Sequence, residues 1–266
     1  MSTDAFLSLF SGRDDAAPVD PMKAAQGSMR NALPRRFYKQ AGTDLRNGQW
    51  HLVLDGRPAR TPAKRFLAIE NSAVAQALAA EWQAQDEVIH PATMPLTRLL
   101  NAALDGVALQ PEAVRDEIVR YGGNDLICYR ADAPAELVQL QGEAWDPLMA
   151  WSRVHLGASL LLARGIVHVE QPASAIKAIQ DAVAGVAAPV PLAALSMVTT
   201  LTGSSVISLA LAHGHLDADA AWNAAHVDED YQSRVWGVDD EAIARLVNRR
   251  RDFAAAALVL ASVRTH

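Results

Sequence analysis

Apolar positions along this chain fall into two textures, and the change between them divides it. From Arg36 the segments "RFYKQ", "WHLVLDG", "RPARTP" and "RFLAIEN" are short runs rich in aromatic and β-branched residues, parted by the turn signals Asn47-Gly48, Asp55-Gly56 and Pro62. Asp-Gly suits a type I′ hairpin turn, because both residues tolerate positive φ. A small antiparallel β-rich domain is therefore expected over residues 34–72. At Asn71 or Ser72 a helix cap appears, and Val74, Leu78 and Trp82 then recur at helical spacing. This predicts a connecting helix within residues 73–90 and a larger, mainly helical domain over 91–266, an α+β chain.

Within the helical part, Leu96, Leu99, Leu100, Ala103, Leu104 and Val107 form one buried face, preceded by the proline-rich "HPATMP". The opposite stripe is polar: Arg98, Asn101 and Asp105. Pro111 suits a first helical position, and Gly122-Gly123 suits a left-handed helix end. Further helices are expected over 135–141, 147–155 after an Asp146 cap, 174–184, 217–235 and 239–262. "LLLARGIVHVE" is ambiguous between a helix end and a hairpin about Gly165, and the hairpin is preferred. Residues 182–212 carry no charge, yet Pro189, Pro191, Gly203 and many hydroxyls interrupt them, which predicts two buried core helices rather than a membrane span.

Composition supports a real core in a chain of 266 residues, half of them hydrophobic and a fifth charged. The formal charge of -6 and the shortness of the basic run Arg249 to Arg251 argue against nucleic acid as a partner. Cys128 is the single cysteine and sits in the apolar "LICY", as a buried thiol would. Residues 1–33 have mixed polarity and no sustained period, so they read as a flexible arm. They lack a basic n-region and an apolar h-region, and Asp4, Asp14 and Asp15 oppose a transit peptide. A cytoplasmic chain is expected.

Little classical chemistry is written here. "HGHLDAD" gathers His213, His215, Asp217 and Asp219, all metal-ligand types, and a metal-dependent or hydrolytic enzyme centred on them is the alternative reading. Gly214 and Asp217 also suit a helix end followed by a helix cap, which needs no metal. "TGSS" at residues 202–205 lacks a nucleophile elbow and reads as buried hydroxyls bonding back to helix carbonyls. No Walker loop and no glycine-rich dinucleotide turn is written, so no cofactor and no nucleotide is expected.

Near the C-terminus, "DEDYQSRVWGVDDEAIARL" places Glu229, Gln232, Val235 and Trp236 on overlapping faces of one helix, ended by Gly237 before Asp239 or Asp240 caps the next. Two readings stand. Either Trp236 packs inside while the acids serve caps and solvent, or this is an acidic, aromatic-anchored surface for a protein partner.

Several blocks together resemble one family. "RRFYK", "LDGRPARTPAK", "AAEWQAQDEVIHPATMPLTRLLNAALD", "WDPLMAW" and "YQSRVWG" are similar, in order and over residues 35–251, to the ATP-twelve chaperones. E-W-x-x-Q followed by P-x-T-M-P-L-T-R carries most of the specificity. Asn124 departs from the threonine expected before the aspartate. The resemblance implies a chaperone rather than an enzyme, attending the α subunit of the F-type ATP synthase catalytic head without membrane insertion. It also implies mitochondrial matrix if the source is organellar. Pro91 and Pro95 suit an interdomain corner, and Met94, Thr97 and Arg98 are expected at its edge as client contacts, beside Glu229, Gln232, Trp236, Asp240 and Glu241.

Overall fold

The computed structural model describes residues 33–164, 169–237 and 240–263. The chain divides into two compact units at Gly106 and Val107. The helix after the proline-rich turn therefore belongs to the first unit, whereas texture placed the start of the helical domain at residue 91.

In the first unit, β1 (Ala41–Arg46) and β2 (Gln49–Leu54) form an antiparallel hairpin running from Ala41 opposite Leu54 to Arg46 opposite Gln49. Its turn is Asn47-Gly48, with both φ values positive at 51° and 80°. Asp55-Gly56 makes the second tight turn, with φ values of 48° and 77°, and returns the chain as β3 (Arg57–Pro58) against β2. The Asp55 carboxylate accepts the amides of Lys39 and Gln40, which fixes where this turn sits. The edge β4 (Ala68–Ile69) pairs with the other end of β2. Helix α1 (Ser72–Gln83) starts on the Asn71 side chain, which accepts the Ala73 and Val74 amides. It buries Val74, Ala75, Leu78 and Ala79. A short 3₁₀ turn, Pro91–Thr93, leads into α2 (Pro95–Asp105).

Among the described residues the second unit is helical apart from one short strand pair. Helix α3 (Pro111–Gly123) does not stop on a left-handed glycine as expected; Asn124 ends it at φ -136°. Gly122 serves packing instead. A Cβ there would lie 2.7 Å from Ile179 Cδ1 and 3.2 Å from Ser205 Oγ, so a larger residue would require those side chains to shift. Tyr129–Arg130 (β5) pairs in parallel with Ala163–Arg164 (β6), joined across the intervening helix. Residues 165–168, where a hairpin turn was expected, lie outside the described residues.

Helix α4 (Ala135–Trp151) runs unbroken through Pro147, correcting the two helices predicted about Asp146. Asp146 pairs with Arg130 rather than capping. Helix α5 (Ala173–Ala184) follows the strand segment. The charge-free run becomes α6 (Val190–Thr202) and α7 (Ser205–Ala212), parted by Gly203 at φ 68°. Nearly every residue of both is buried. Their hydroxyls are satisfied locally: Thr199 and Thr202 donate to the carbonyls of Leu195 and Val198, and Ser208 to Ser205. Among the described residues no helix is long and apolar enough to cross a membrane.

The helix expected over 217–235 is two, α8 (Ala218–Ala225) and α9 (Val227–Trp236). Buried His226 sits at the break, its Nδ1 2.8 Å from the Trp222 carbonyl. The long α10 (Asp240–Ser262) buries Phe253, Ala256, Val259 and Leu260 in its second half, packing on α6 and α7. Its first half is almost wholly exposed.

Candidate functional site

The most diagnostic sequence block builds a corner inside the first unit. Glu81, on the last turn of α1, reaches the start of α2 and accepts the amides of Leu96 at 2.7 Å and Thr97 at 3.0 Å. It thereby caps a helix from outside that helix, where amides are unpaired and a negative charge is favoured. The Trp82 indole donates to Thr97 Oγ1, which donates onward to Glu81. Gln85 accepts the His90 amide and donates to the Glu81 carbonyl. The "RRFYK" block closes on the same corner: Arg36 donates to the carbonyls of Gln83 and Gln85, and the Tyr38 hydroxyl to that of Trp82. Burial pushes the Glu81 carboxyl above its ordinary range, against the three hydrogen bonds that favour its ionised form.

This corner changes the standing of the expected contact residues. Met94 is 2% exposed, Thr97 is buried and occupied by Trp82 and Glu81, and Arg98 is half-buried. Thr97 is spent inside the corner, and Met94 is turned inward rather than onto the outer surface.

A second buried carboxylate is Asp125, wholly enclosed in the helical unit. It accepts the Ile127 amide, the Ser205 hydroxyl and the Val206 amide, so it caps the start of α7. Burial raises its pKa. Asn124, the departure from the family pattern, ends α3 and accepts the Tyr129 hydroxyl. Cys128 is fully buried and its thiol is pushed up to about 12, as desolvation of a thiolate demands. No nucleophile is generated there at neutral pH.

The four residues proposed as a metal or hydrolytic centre are dispersed by the fold. Asp217 accepts the Ala220 amide as the N-cap of α8, and Asp219 pairs with Arg250. His213 and His215 instead flank Trp151 together with His155, with ring centroids 5.3 to 5.8 Å from the indole. The histidines cover a core tryptophan. Among the described residues no group of three or more His, Cys, Asp or Glu side chains converges to hold a metal ion.

The acidic, aromatic end of the chain is the arrangement suited to recognition. Helix α9 lies on α4, held by Gln141 donating to Asp228 and by the Arg234–Glu136 ion pair. Glu229, Gln232 and Trp236 fall within an arc of about 60° on its surface and all are exposed. Trp236 is 85% exposed, which removes the reading in which it packs inside. Asp240 and Glu241 are exposed in the first turn of α10, Glu241 paired with Arg245. Sequence reasoning missed the apolar positions beyond them. Ile243, Leu246 and Val247 form an i, i+3, i+4 stripe that is 38 to 53% exposed. The spacing was legible in "AIARLV", but such a stripe normally marks a buried face, whereas here it lies in the exposed first half of α10.

Comparisons with known proteins find similar chaperones. The family described as ATP12 chaperone protein matches residues 35–153. A protein of Schizosaccharomyces pombe named mitochondrial atp12 is 24% identical over 220 residues, covering 78% of this chain and 75% of its own. Among solved structures, a candidate chaperone from Agrobacterium tumefaciens is 41% identical and superposes with a TM-score of 0.82, covering 98% of this chain and 96% of that one. Atp12 from Paracoccus denitrificans is 40% identical with a TM-score of 0.78, covering 87% of this chain and 99% of its own.

Proposed function

The chain belongs to the ATP12 chaperone family, and on that premise we propose that it is a nucleotide-independent holding chaperone for the unassembled α subunit of the F-type ATP synthase catalytic head. The observation that carries this reading is Trp236, 85% exposed at the end of α9 beside Glu229 and Gln232. A solvated tryptophan on an ordered helix is costly unless a partner covers it, and tryptophan is the residue most enriched where interfaces concentrate their energy. Ile243, Leu246 and Val247 extend the apolar supply, while Asp240 and Glu241 add charge that selects among partners.

An unassembled α subunit exposes surface that its β neighbour later covers, and such patches associate wrongly when left open. Reversible binding lowers the free concentration of the sticky species by mass action, with no need for nucleotide hydrolysis. The β subunit then displaces the chaperone from the shared surface. A bacterial chain would act in the cytoplasm and an organellar one in the matrix.

Size-exclusion chromatography with isolated α, isolated β and the assembled head tests the reading. Co-elution with α alone is the expected result. Equal or stronger retention by β, or by the finished head, overturns it.

A further inference from the structure

The first unit contains a half-open cavity of about 350 Å³ whose described lining residues all belong to that unit. Leu67, Trp82, Ile89 and Met94 give it apolar walls. Its volume lies at the lower end of the range for ligand pockets, about 300–1,000 Å³. The polar stripe of α2 explains how the pocket is kept open. Asp105 accepts Thr61 Oγ1 at 2.7 Å and the Ala63 amide at 2.9 Å, and Arg65 donates to the Leu104 carbonyl. These bonds latch the loop 59–66 to the end of α2 and hold one wall in place. One and two turns back along the same helix, Asn101 and Arg98 line the cavity. The Asn101 Oδ1 is enclosed with no hydrogen-bond partner. A buried amide oxygen without a donor is an uncommon expense, and a ligand donor would relieve it after rotation about the terminal torsion.

The loop that supplies one wall, through Arg60, Thr61 and Pro62, is basic for so acidic a chain. Residues 57–65, "RPARTPAKR", hold Arg57, Arg60, Lys64 and Arg65 and no acid, whereas the whole chain carries -6. Arg60 is held over the Phe66 ring, 4.0 Å from its centroid, and donates to the Lys64 carbonyl. Its charge is thus presented from a fixed position. Asp105 is consumed by the latch, and Glu81 faces Arg98. Charge complementarity therefore favours an acidic visitor, and the walls favour an apolar group on it.

We infer that this cavity receives an apolar side chain carried on an acidic stretch of client polypeptide. The inference rests on the holding reading for its biological source of peptide, but the pocket itself can be tested without the client. The probe is the peptide acetyl-Asp-Glu-Phe-Glu-Asp-amide, added to the full chain labelled at methionine methyl groups. Controls are its counterparts with lysine for every acid and with alanine for phenylalanine. The Met94 methyl resonance, identified by Met94→Leu, should shift saturably with the acidic phenylalanine peptide. Binding should be about tenfold weaker for either control and for the folded double variant Arg57→Glu, Lys64→Glu, both substituted positions being exposed. An unmoved Met94 methyl, or equal shifts with all three peptides, overturns the inference. Retention of α subunit on a column bearing each chain separates the two ideas. Undiminished retention by the double variant overturns the role of the pocket and leaves the holding reading intact. Failure of the unsubstituted chain to retain α sinks the holding reading, while the peptide titration still decides the pocket.

Discussion

Glu81 and Thr97 stand on different helices yet are joined by two hydrogen bonds: the carboxylate accepts both the Thr97 amide and its hydroxyl at 3.0 Å, and that hydroxyl in turn accepts the Trp82 indole N–H. Thr97→Val keeps the shape but strands the indole donor and takes one donor from the Glu81 carboxylate. A loss of about 1–3 kcal/mol in urea unfolding is expected, against less than about 1 kcal/mol for Thr97→Ser. Equal losses for the two variants would show that packing, not the hydroxyl relay, holds the corner.

Glu81 also leaves a signature in the pH dependence of stability. Burial raises its folded pKa above the unfolded value, so the folded chain keeps a proton that the unfolded chain has released. Its contribution is fully present below the unfolded pKa and is lost as pH rises through the folded one. The stability difference between the unsubstituted chain and Glu81→Gln should therefore move in favour of the unsubstituted chain as pH falls through that window. A difference that is flat, or that moves the other way, contradicts the assignment.

Asp125 is the test case for the helical unit. Asp125→Ala leaves the Ile127 and Val206 amides buried without acceptors, a cost of at least about 3 kcal/mol. Asp125→Asn keeps one oxygen able to accept two donors and should cost less. Chemical denaturation of both variants decides the matter, and a loss below about 1 kcal/mol for the alanine variant would mean that water or a local shift replaces the carboxylate.

The segment holding His213, His215, Asp217 and Asp219 is assigned to structure. Asp217→Ala should cost about 1 kcal/mol, the usual worth of a helix N-cap, and leave metal content unchanged. Stoichiometric zinc in protein purified without chelator, lost in the Asp217 variant, would revive the enzymatic reading.

How much of this was legible beforehand depended on whether the cause was local. Asn47-Gly48, Asp55-Gly56, the Asn71 cap and the Gly203 break follow from backbone preferences of a few residues, and each sits where its chemistry demands. The misses share a different origin. Gly122 was read as a stop signal, but its purpose is set by Ile179 and Ser205, far along the chain. Pro147 failed to break α4, and Tyr129–Arg130 pairs with Ala163–Arg164 across a whole helix. Glu81 illustrates the same limit at the site. Its family motif was visible, yet nothing in a sequence says whether a distinctive residue meets a partner or caps a neighbouring helix. Trp236 and the stripe from Ile243 to Val247 have the spacing of core residues yet are exposed, which a local pattern does not reveal.

The final prediction separates client binding from stability at the end of α9. Trp236 is 85% exposed and Glu229 lies on the same face, with neither engaged in a buried contact. Replacing either should therefore change the melting behaviour by no more than the roughly 0.5 kcal/mol typical of surface positions. Binding should respond quite differently. If Trp236 anchors the α subunit in a desolvated pocket, Trp236→Ala should cost about 2 kcal/mol or more, roughly thirtyfold in affinity. Glu229→Lys reverses a charge at the edge of the same contact and should slow association in a salt-dependent way as well as weaken it. Circular dichroism and thermal melting establish that each variant is folded, and protection of α from aggregation gives the readout. A folded Trp236→Ala chain that protects α at the concentration of the unsubstituted one would remove this helix from the client surface and shift attention to the basic pocket of the first unit.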